Sequence, residues 1–108
     1  MTDNIRLSHQ SLRVLRVFLD ALSEDVRAEL AGADLMSTAR LSSGTLYPIL
    51  LRFERLGLLE SRWETERPEE LGRPRRRFYR MTQAGAQVAH DALDDLSSRH
   101  VRPELGQA

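Results

Sequence analysis

Residues 42–61, SSGTLYPILLRFERLGLLES, place two helix breakers at the start of a segment whose apolar spacing is helical. An apolar residue recurs every three or four positions, which predicts an amphipathic helix ending at Gly57: Leu46, Ile49, Leu50, Phe53 and Leu56. Pro48 conflicts chiefly with the carbonyl four residues back, which belongs to Gly44. Either Thr45 is the N-cap, so that the proline lies in the first turn, or the helix begins earlier and the glycine gives the backbone room to bend. In both cases the start of the helix is closely specified.

Helical and extended patterns flank this segment. Ser8 can cap a first helix over 8–22, and a short second helix is predicted around 32–40. After Gly57, residues 58–64 and 76–81 alternate between apolar and other side chains, which predicts the two strands of a hairpin. Residues 65–75 contain two prolines and a glycine without apolar periodicity, so we expect a long mobile loop between the strands.

Thr82 can cap a last helix that ends near Pro103. The order is helix, helix, short turn, helix, hairpin, helix, which predicts a mostly α fold with a small β-hairpin: a winged helix-turn-helix followed by a C-terminal helix. A length of 108 residues fits a single domain, with the winged helix-turn-helix over 8–81 and the C-terminal helix over 82–102.

The charges are balanced overall but segregated along the chain. The 16 basic and 16 acidic residues cancel, so net charge favours neither nucleic acid nor an acidic substrate. Residues 72–80, however, hold five arginines and no acid, whereas residues 60–70 hold five glutamates against two arginines. Arginines on a hairpin behind a helix of this kind favour contact with DNA phosphates over a merely solvated loop: Arg73, Arg75, Arg76 and Arg77.

The start of the third helix is the other candidate site. A helix start presents unpaired amides and a positive dipole, which suits a phosphate, and the first residues of the second helix of a helix-turn-helix reach base edges. We therefore expect DNA contacts from the recognition helix over 43–57, namely from Ser42, Ser43, Thr45 and Tyr47. Arg52 lies on the exposed side and could contact a phosphate or pair with Glu54. Trp63 continues the alternation of Leu59 and is expected in the core at the base of the hairpin.

Composition excludes several functional classes. Without cysteine the chain has no disulfide, thiolate metal site or cysteine nucleophile, and its three histidines show no metal-ligand spacing. We find no pairing of nucleophile with base and no phosphate-cradling glycine loop, so neither an enzyme nor a cofactor is predicted. The N-terminus lacks a signal peptide and no apolar run is long enough to span a membrane, so we expect a cytoplasmic protein.

The motifs LSSGTLYPILLRFERLGLLESRWE and GRPRRRFYRMTQAG resemble those of the PadR family of bacterial transcriptional repressors. The similarity covers roughly residues 32–89, and by length the chain is similar to the short subfamily. The resemblance implies a homodimer that binds a palindromic operator, with the first and last helices forming the dimer contact. Many relatives have a glycine where this chain has Arg40. The last helix carries no Phe, Tyr or Trp, so the aromatic drug site of some relatives is not implied here.

The apolar stripes of the first and last helices also favour a dimer, because one small domain is unable to cover both stripes from water. The residues expected at this contact are Leu12, Leu15, Leu19, Ala89, Leu93 and Leu96. A second hypothesis remains open, that of a winged-helix protein-interaction module without DNA binding, which zero net charge favours and the arginine-rich hairpin opposes. The operator, the regulated genes and any small-molecule inducer are not encoded in these patterns.

Overall fold

The structure, a computed structural model, describes residues 6–107, with side chains described for residues 6–96. The elements in chain order are α1 (His9–Glu24), β1 (Leu30–Ala31), α2 (Gly32–Ala39), α3 (Ser43–Arg55), β2 (Leu59–Trp63), α4 (Pro68–Leu71), β3 (Arg77–Met81) and α5 (Gln83–Gln107). This order confirms the predicted fold class, a mostly helical winged helix-turn-helix with a last helix after the hairpin.

Helix α1 begins where the sequence predicts. Ser8 is its N-cap, and the Ser8 hydroxyl accepts a hydrogen bond from the amide of Ser11 at 3.1 Å. One face of the helix is buried through Val14, Leu15 and Phe18. These three side chains belong to the hydrophobic core, and α1 packs against α5, α2 and β3.

The turn between α2 and α3 is closed by a residue in the left-handed conformation. Arg40 has φ 57° and ψ 52°, a conformation that glycine adopts most readily, although this position holds a side chain. The guanidinium of Arg13 on α1 donates to the carbonyls of Ala39 and Arg40, the second at 3.0 Å. It thus satisfies carbonyls that the end of α2 leaves without an intrahelical partner.

Helix α3 begins earlier than a Thr45 cap would require. Ser42 is the N-cap, and its carbonyl accepts from the amides of Thr45 and Leu46 at 3.1 and 2.9 Å. The Thr45 alternative is therefore wrong, and Pro48 lies inside the helix. A proline conflicts chiefly with the carbonyl four residues back, here that of Gly44, where an added Cβ would meet nothing within 4 Å. The helix body ends at Arg55, and Gly57 follows with φ 77°.

The three strands form one antiparallel sheet in the order β1, β3, β2. Strand β2 pairs with β3 in the register Leu59 with Met81 and Trp63 with Arg77, which confirms the predicted hairpin. The short strand β1 was not predicted and adds Leu30 opposite Tyr79. The predicted loop also contains α4, a single turn that ends at Gly72 in the left-handed conformation.

Helix α5 starts from a cap that also ties it to the hairpin. The Thr82 hydroxyl accepts from the amide of Gly85 at 3.0 Å and donates to the carbonyl of Gly57 at 2.7 Å. Val88 and Ala89 are buried against α1 and the sheet. The expected end near Pro103 is wrong, because the helix continues to Gln107; a proline costs a helix one amide donor without always ending it.

The core contains most of the predicted apolar stripe of α3. Leu46, Leu50 and Phe53 are at most 1% exposed, and Ile49 is half-buried. Leu56 is an exception, being 43% exposed, because it follows the last turn of the helix, where the chain turns toward the sheet. The buried stripe fixes α3 with its opposite side, including Pro48, Arg52 and Arg55, facing solvent.

Candidate nucleic-acid interface

The start of α3 carries a cluster of exposed hydroxyl groups. Ser42, Ser43 and Thr45 are all exposed, and the Ser42 and Thr45 hydroxyls lie 3.4 Å apart. Ser42 makes no side-chain cap to the helix, and its hydroxyl donates instead to the hydroxyl of Thr45. Together with the first amides of the helix and its positive dipole end, these groups form a surface of donors suited to phosphate or base edges.

Tyr47 projects from the first turns of α3 beside this cluster. Its side chain is 42% exposed and lies off the buried stripe, and its hydroxyl and ring edge face Gly32 at the start of α2. The residue is therefore placed at the surface next to the hydroxyl cluster, as its position off the apolar stripe suggested.

We define the wing as β2, β3 and the connecting residues 64–76. Two of the wing arginines predicted to contact phosphates, Arg73 and Arg77, instead bind other side chains of the protein. Arg73 forms an ion pair with Glu64, with N–O distances of 2.7 and 3.1 Å. Arg77 donates to the Ser61 hydroxyl at 3.0 and 2.8 Å and reaches Glu54 at 3.4 Å. Both arginines therefore hold the wing in shape, and much of their charge is neutralised locally.

The other two arginines predicted to contact phosphates, Arg75 and Arg76, form no ion pair within residues 6–96. Arg75 donates from Nε to the carbonyl of Glu66 at 2.8 Å, which fixes the side chain without neutralising it. The backbone amide of Arg76 donates to Glu64 at 2.8 Å, whereas the Arg76 guanidinium makes no ion pair with any residue in the range 6–96. Arg75 and Arg76 are thus the wing groups best able to contact an external phosphate.

Glu64 organises this part of the wing electrostatically. The hydrogen bond from Arg73 holds the pKa of Glu64 at about 2, with a further contribution from the amide of Arg76. A carboxylate with such a low pKa stays ionised at neutral pH and keeps both donors in place. Glu64 and Arg73 are nine positions apart, and counting charges along the sequence did not predict that they pair.

Trp63 is exposed, which corrects the expectation that it lies in the core. The alternation in β2 is as predicted, since Leu59 is buried and Ser61 is half-buried on the same face. The core ends at Ser61, however, and Trp63 is 56% exposed. The Arg77 guanidinium lies 5.3 Å from the centre of the Trp63 ring and 5.8 Å from that of Tyr79, so a cation stabilises the aromatic surface.

A groove of about 490 Å³, which we call the wing groove, lies between Tyr47 of α3 and the wing. It runs between the start of α2, the exposed side of α3 and the wing. Tyr47 lines it from α3, Trp63 and Tyr79 line it from the sheet, and Arg75 and Arg76 line it from the wing. Burial raises the pKa of Tyr79, so its hydroxyl remains protonated. Tyr47 and the unpaired arginines therefore share one surface.

On the opposite face of the hairpin, the charged side chains neutralise one another in ion pairs. Arg62 forms a two-point ion pair with Glu29 at 2.7 and 2.8 Å and lies 5.1 Å from the centre of the Phe78 ring. Arg80 pairs with Glu60 at 2.7 Å. Arg52 on α3 does not pair with Glu54, whose carboxylate is taken by Ser61 and Arg77. Arg75 and Arg76, by contrast, line the wing groove without an ion pair.

The residues expected at a dimer contact fall into two groups. Leu15 and Ala89 are fully buried in the protomer core, so they have no surface for a partner, and this part of the expectation is corrected. Leu12, Leu19 and Leu93 are half-buried and Leu96 is 39% exposed. A separate groove of about 440 Å³ runs between α1 and α5, lined by Leu19, Leu22, Ala86 and Leu93 among others.

The described residues form neither a metal cluster nor a membrane span. No cluster of three or more His, Cys, Asp or Glu side chains among them is arranged to hold a metal ion. None of the described helices combines the length and the apolar character needed to cross a bilayer.

Several solved structures share this fold. The chain aligns with smu.1704 from Streptococcus mutans UA159 at 24% identity and a TM-score of 0.64, covering 91% of this chain and 87% of that one. A PadR-like transcription factor from Bacteroides fragilis aligns at 20% identity and a TM-score of 0.63, covering 90% and 86%. MepR of S. aureus, solved in complex with DNA, aligns at 11% identity and a TM-score of 0.65, covering 94% and 73%.

The chain is shorter than several other structures of this fold. It spans 63% of the NadR chain solved with 4-hydroxyphenylacetate and 66% of the chain of MepR solved as regulator of a multidrug efflux pump. No curated protein sequence matches it significantly. The family model of the PadR-like transcriptional regulators matches residues 26–91, from before α2 into α5. This match covers well over half of the sequence and includes α3 and the wing, and the chain therefore belongs to the PadR-like family of transcriptional regulators.

Proposed function

We propose that the protein is a homodimeric repressor that binds a palindromic DNA operator. Helix α3 enters the major groove with its first residues toward the bases, and the wing contacts flanking phosphates. The cytoplasm, where the chromosome lies, is the location that this role requires. The DNA complex of MepR supports the proposal by fold alone, since the two chains are 11% identical.

One observation carries the proposal. Tyr47, near the start of α3, and the uncompensated Arg75 and Arg76 line the same groove. A single duplex lying on this surface is therefore able to meet the hydroxyl and amide donors of the helix and the charges of the wing together. The helix donors select sequence when they reach base edges. The wing charges supply affinity and orientation through the phosphates.

A second copy of the chain completes the proposed assembly. Leu12, Leu19, Leu93 and Leu96 keep apolar surface after the protomer has folded, and they lie on α1 and α5. Covering this surface with the same surface of another copy gives a two-fold dimer. Such a dimer presents two α3 helices related by symmetry, which is why we infer a palindromic operator.

The test is a salt titration of binding to a random-sequence duplex, comparing wild type with Arg76→Ala and with the double variant Arg75→Ala/Arg76→Ala. Each lost phosphate contact is expected to reduce the slope of log affinity against log salt by about 0.9, doubled in a dimer. Arg80→Ala is the matched control, because it removes the same charge from the same hairpin on the opposite face, where Arg80 pairs with Glu60.

Two results would count against the proposal. A salt slope near zero for wild type favours the alternative of a protein-interaction module, which the zero net charge also favours. Equal slope changes in Arg76→Ala and Arg80→Ala would show that only the total charge of the chain matters.

Tests of specificity require the operator. Selection of bound fragments from the source genome provides it as the most enriched duplex, which we call the enriched duplex.

A further inference from the structure

Gly32, the first residue of α2, lies directly against Tyr47. A Cβ built on Gly32 would be 2.1 Å from the Tyr47 hydroxyl oxygen, 3.0 Å from Cζ and 3.3 Å from Cε1. The backbone itself does not require glycine here, because the left-handed conformation among the described glycines is confined to Gly57 and Gly72. The absent side chain of Gly32 therefore serves to leave room, and the Tyr47 hydroxyl occupies that room.

The backbones on both sides of this contact are held in place. Gly32 is buried and follows Ala31, which pairs with Phe78 of β3 in the sheet. Tyr47 follows Leu46, which is fully buried in the core and fixes the first turns of α3. A side chain added at position 32 would thus be relieved mainly by rotation of the Tyr47 ring, which is 42% exposed and borders the open wing groove.

We propose that Gly32 is a positioning residue that sets the direction of the Tyr47 hydroxyl on the DNA-facing surface. This inference rests on the proposed function, because it assumes that Tyr47 contacts the duplex. Gly32 itself touches no DNA in this scheme. Its effect on binding passes entirely through the tyrosine, and this predicts a coupling that a general loss of helix stability does not produce.

The first experiment measures the position of the ring without DNA. The chain has two tyrosines, so ring-labelled protein gives two sets of NMR signals, which Tyr47→Phe assigns. Gly32→Ala is expected to shift the Tyr47 ring signals. Ser37→Ala is the control, because Ser37 is exposed on α2 and the substitution also favours the helix without adding atoms near Tyr47. Unshifted Tyr47 signals in Gly32→Ala would overturn the proposal.

The second experiment is a double-mutant cycle on affinity for the enriched duplex. Gly32→Ala alone is expected to weaken binding roughly 5- to 150-fold if it removes one base contact of Tyr47. In a Tyr47→Ala background the same substitution is expected to change affinity less than twofold. In a Tyr47→Phe background its effect is intermediate, because the closest atom, the hydroxyl, is gone while Cζ remains within 3.0 Å of the added Cβ.

The outcomes separate this inference from the proposed function. An equal loss from Gly32→Ala in all three backgrounds would show that Gly32 acts through the backbone of α2, and the inference fails while DNA binding stands. Shifted Tyr47 signals with unchanged affinity would refute the role of Tyr47 in DNA binding and with it the role of Gly32 in recognition. If Gly32→Ala alone does not fold, recovery of folding by Tyr47→Ala supports the contact, and failure to recover overturns it.

Discussion

Arg73 and Glu64 form a two-point ion pair at the base of the wing, with N–O distances of 2.7 and 3.1 Å. Glu64 also accepts the amide of Arg76 at 2.8 Å, so one carboxylate connects the two ends of the wing loop. The charge of Arg73 is therefore used inside the wing, although the residue belongs to the same basic run as Arg75 and Arg76.

This ion pair predicts a specific dependence on pH. The pKa of Glu64 is lowered from 4.5 to about 2, so its contribution to stability is complete above pH 4.5 and is lost as pH falls from 4.5 toward 2. We expect the Glu64 carboxyl signal to titrate near pH 2 by NMR, and Arg73→Ala to move that midpoint toward 4.5. Arg80→Ala should leave it unchanged. A normal midpoint in the wild type would mean that the pair does not form in solution.

Tyr47→Phe tests the hydroxyl at the start of α3. Because the ring is partly exposed and lies off the core stripe, we expect the melting temperature to stay nearly unchanged. Affinity for the enriched duplex should fall by about 1 to 3 kcal/mol if the hydroxyl contacts a base, and by less if it contacts a phosphate. Competition with random duplex distinguishes the two, since a base contact lowers the ratio of specific to random affinity. Wild-type binding with a melting temperature several degrees lower would show instead that the hydroxyl is a structural group.

Arg40→Gly should stabilise the protein by up to about 1 kcal/mol. The left-handed conformation costs a non-glycine residue about 1 to 2 kcal/mol, which the substitution removes. Glycine also raises the conformational entropy of the unfolded chain, which offsets part of this gain. Arg40→Ala is the matched control: it removes the same guanidinium and keeps the strained backbone. Urea denaturation of both variants measures the difference. Equal stability of the two would show that the Arg40 backbone is not strained in solution.

Gly85→Ala and Gly44→Ala should change stability in opposite directions. A Cβ at Gly85 would be 2.1 Å from the backbone carbonyl oxygen of Leu58, so α5 must move from the sheet, at a cost of about 1 to 3 kcal/mol. A Cβ at Gly44 meets nothing within 4 Å, and alanine should favour α3 by about 0.5 to 1 kcal/mol. Thermal melts provide the comparison, and a stabilised Gly85→Ala would contradict the close packing of α5.

The proposed dimer predicts that Leu93→Glu combined with Leu96→Glu yields a folded monomer. Both leucines keep apolar surface in the protomer, and a carboxylate there is costly to bury in a contact. Sedimentation at micromolar concentration measures the change. Leu56→Glu is the control, since Leu56 is 43% exposed outside the α1 and α5 surface and should leave the assembly unchanged. A monomeric wild type would refute the dimer.

Local chemistry explains what the sequence predicted well. The caps at Ser8 and Thr82 depend on hydrogen bonds to amides three residues away, and the buried stripe of α3 depends on spacings of three and four. Gly57 follows α3 with positive φ, as its position after the helix suggested. Such interactions span a few residues, so the pattern of residue types contains them.

What was not predicted depends on distant partners. Alternation in β2 indicates the face of Trp63 but not the point at which the core ends, so its exposure required the three-dimensional structure. The wing arginines differ in role only because Glu64 and Glu54 neutralise Arg73 and Arg77 across 9 and 23 positions. Strand β1 has two residues, too few for a periodic pattern, and its pairing with β3 spans almost fifty positions.

Strand β1 fixes the position of the wing relative to the start of α2. Its pairs, Leu30 with Tyr79 and Ala31 with Phe78, connect the start of α2 to the central strand of the wing, and α2 in turn leads through the Arg40 turn into α3. A hinge motion of the wing relative to α3 would have to break the backbone hydrogen bonds between β1 and β3. In the proposed dimer, α3 and the wing of each protomer therefore keep one arrangement, and we expect tolerance for operators of different half-site separation to come from the contact between the two protomers.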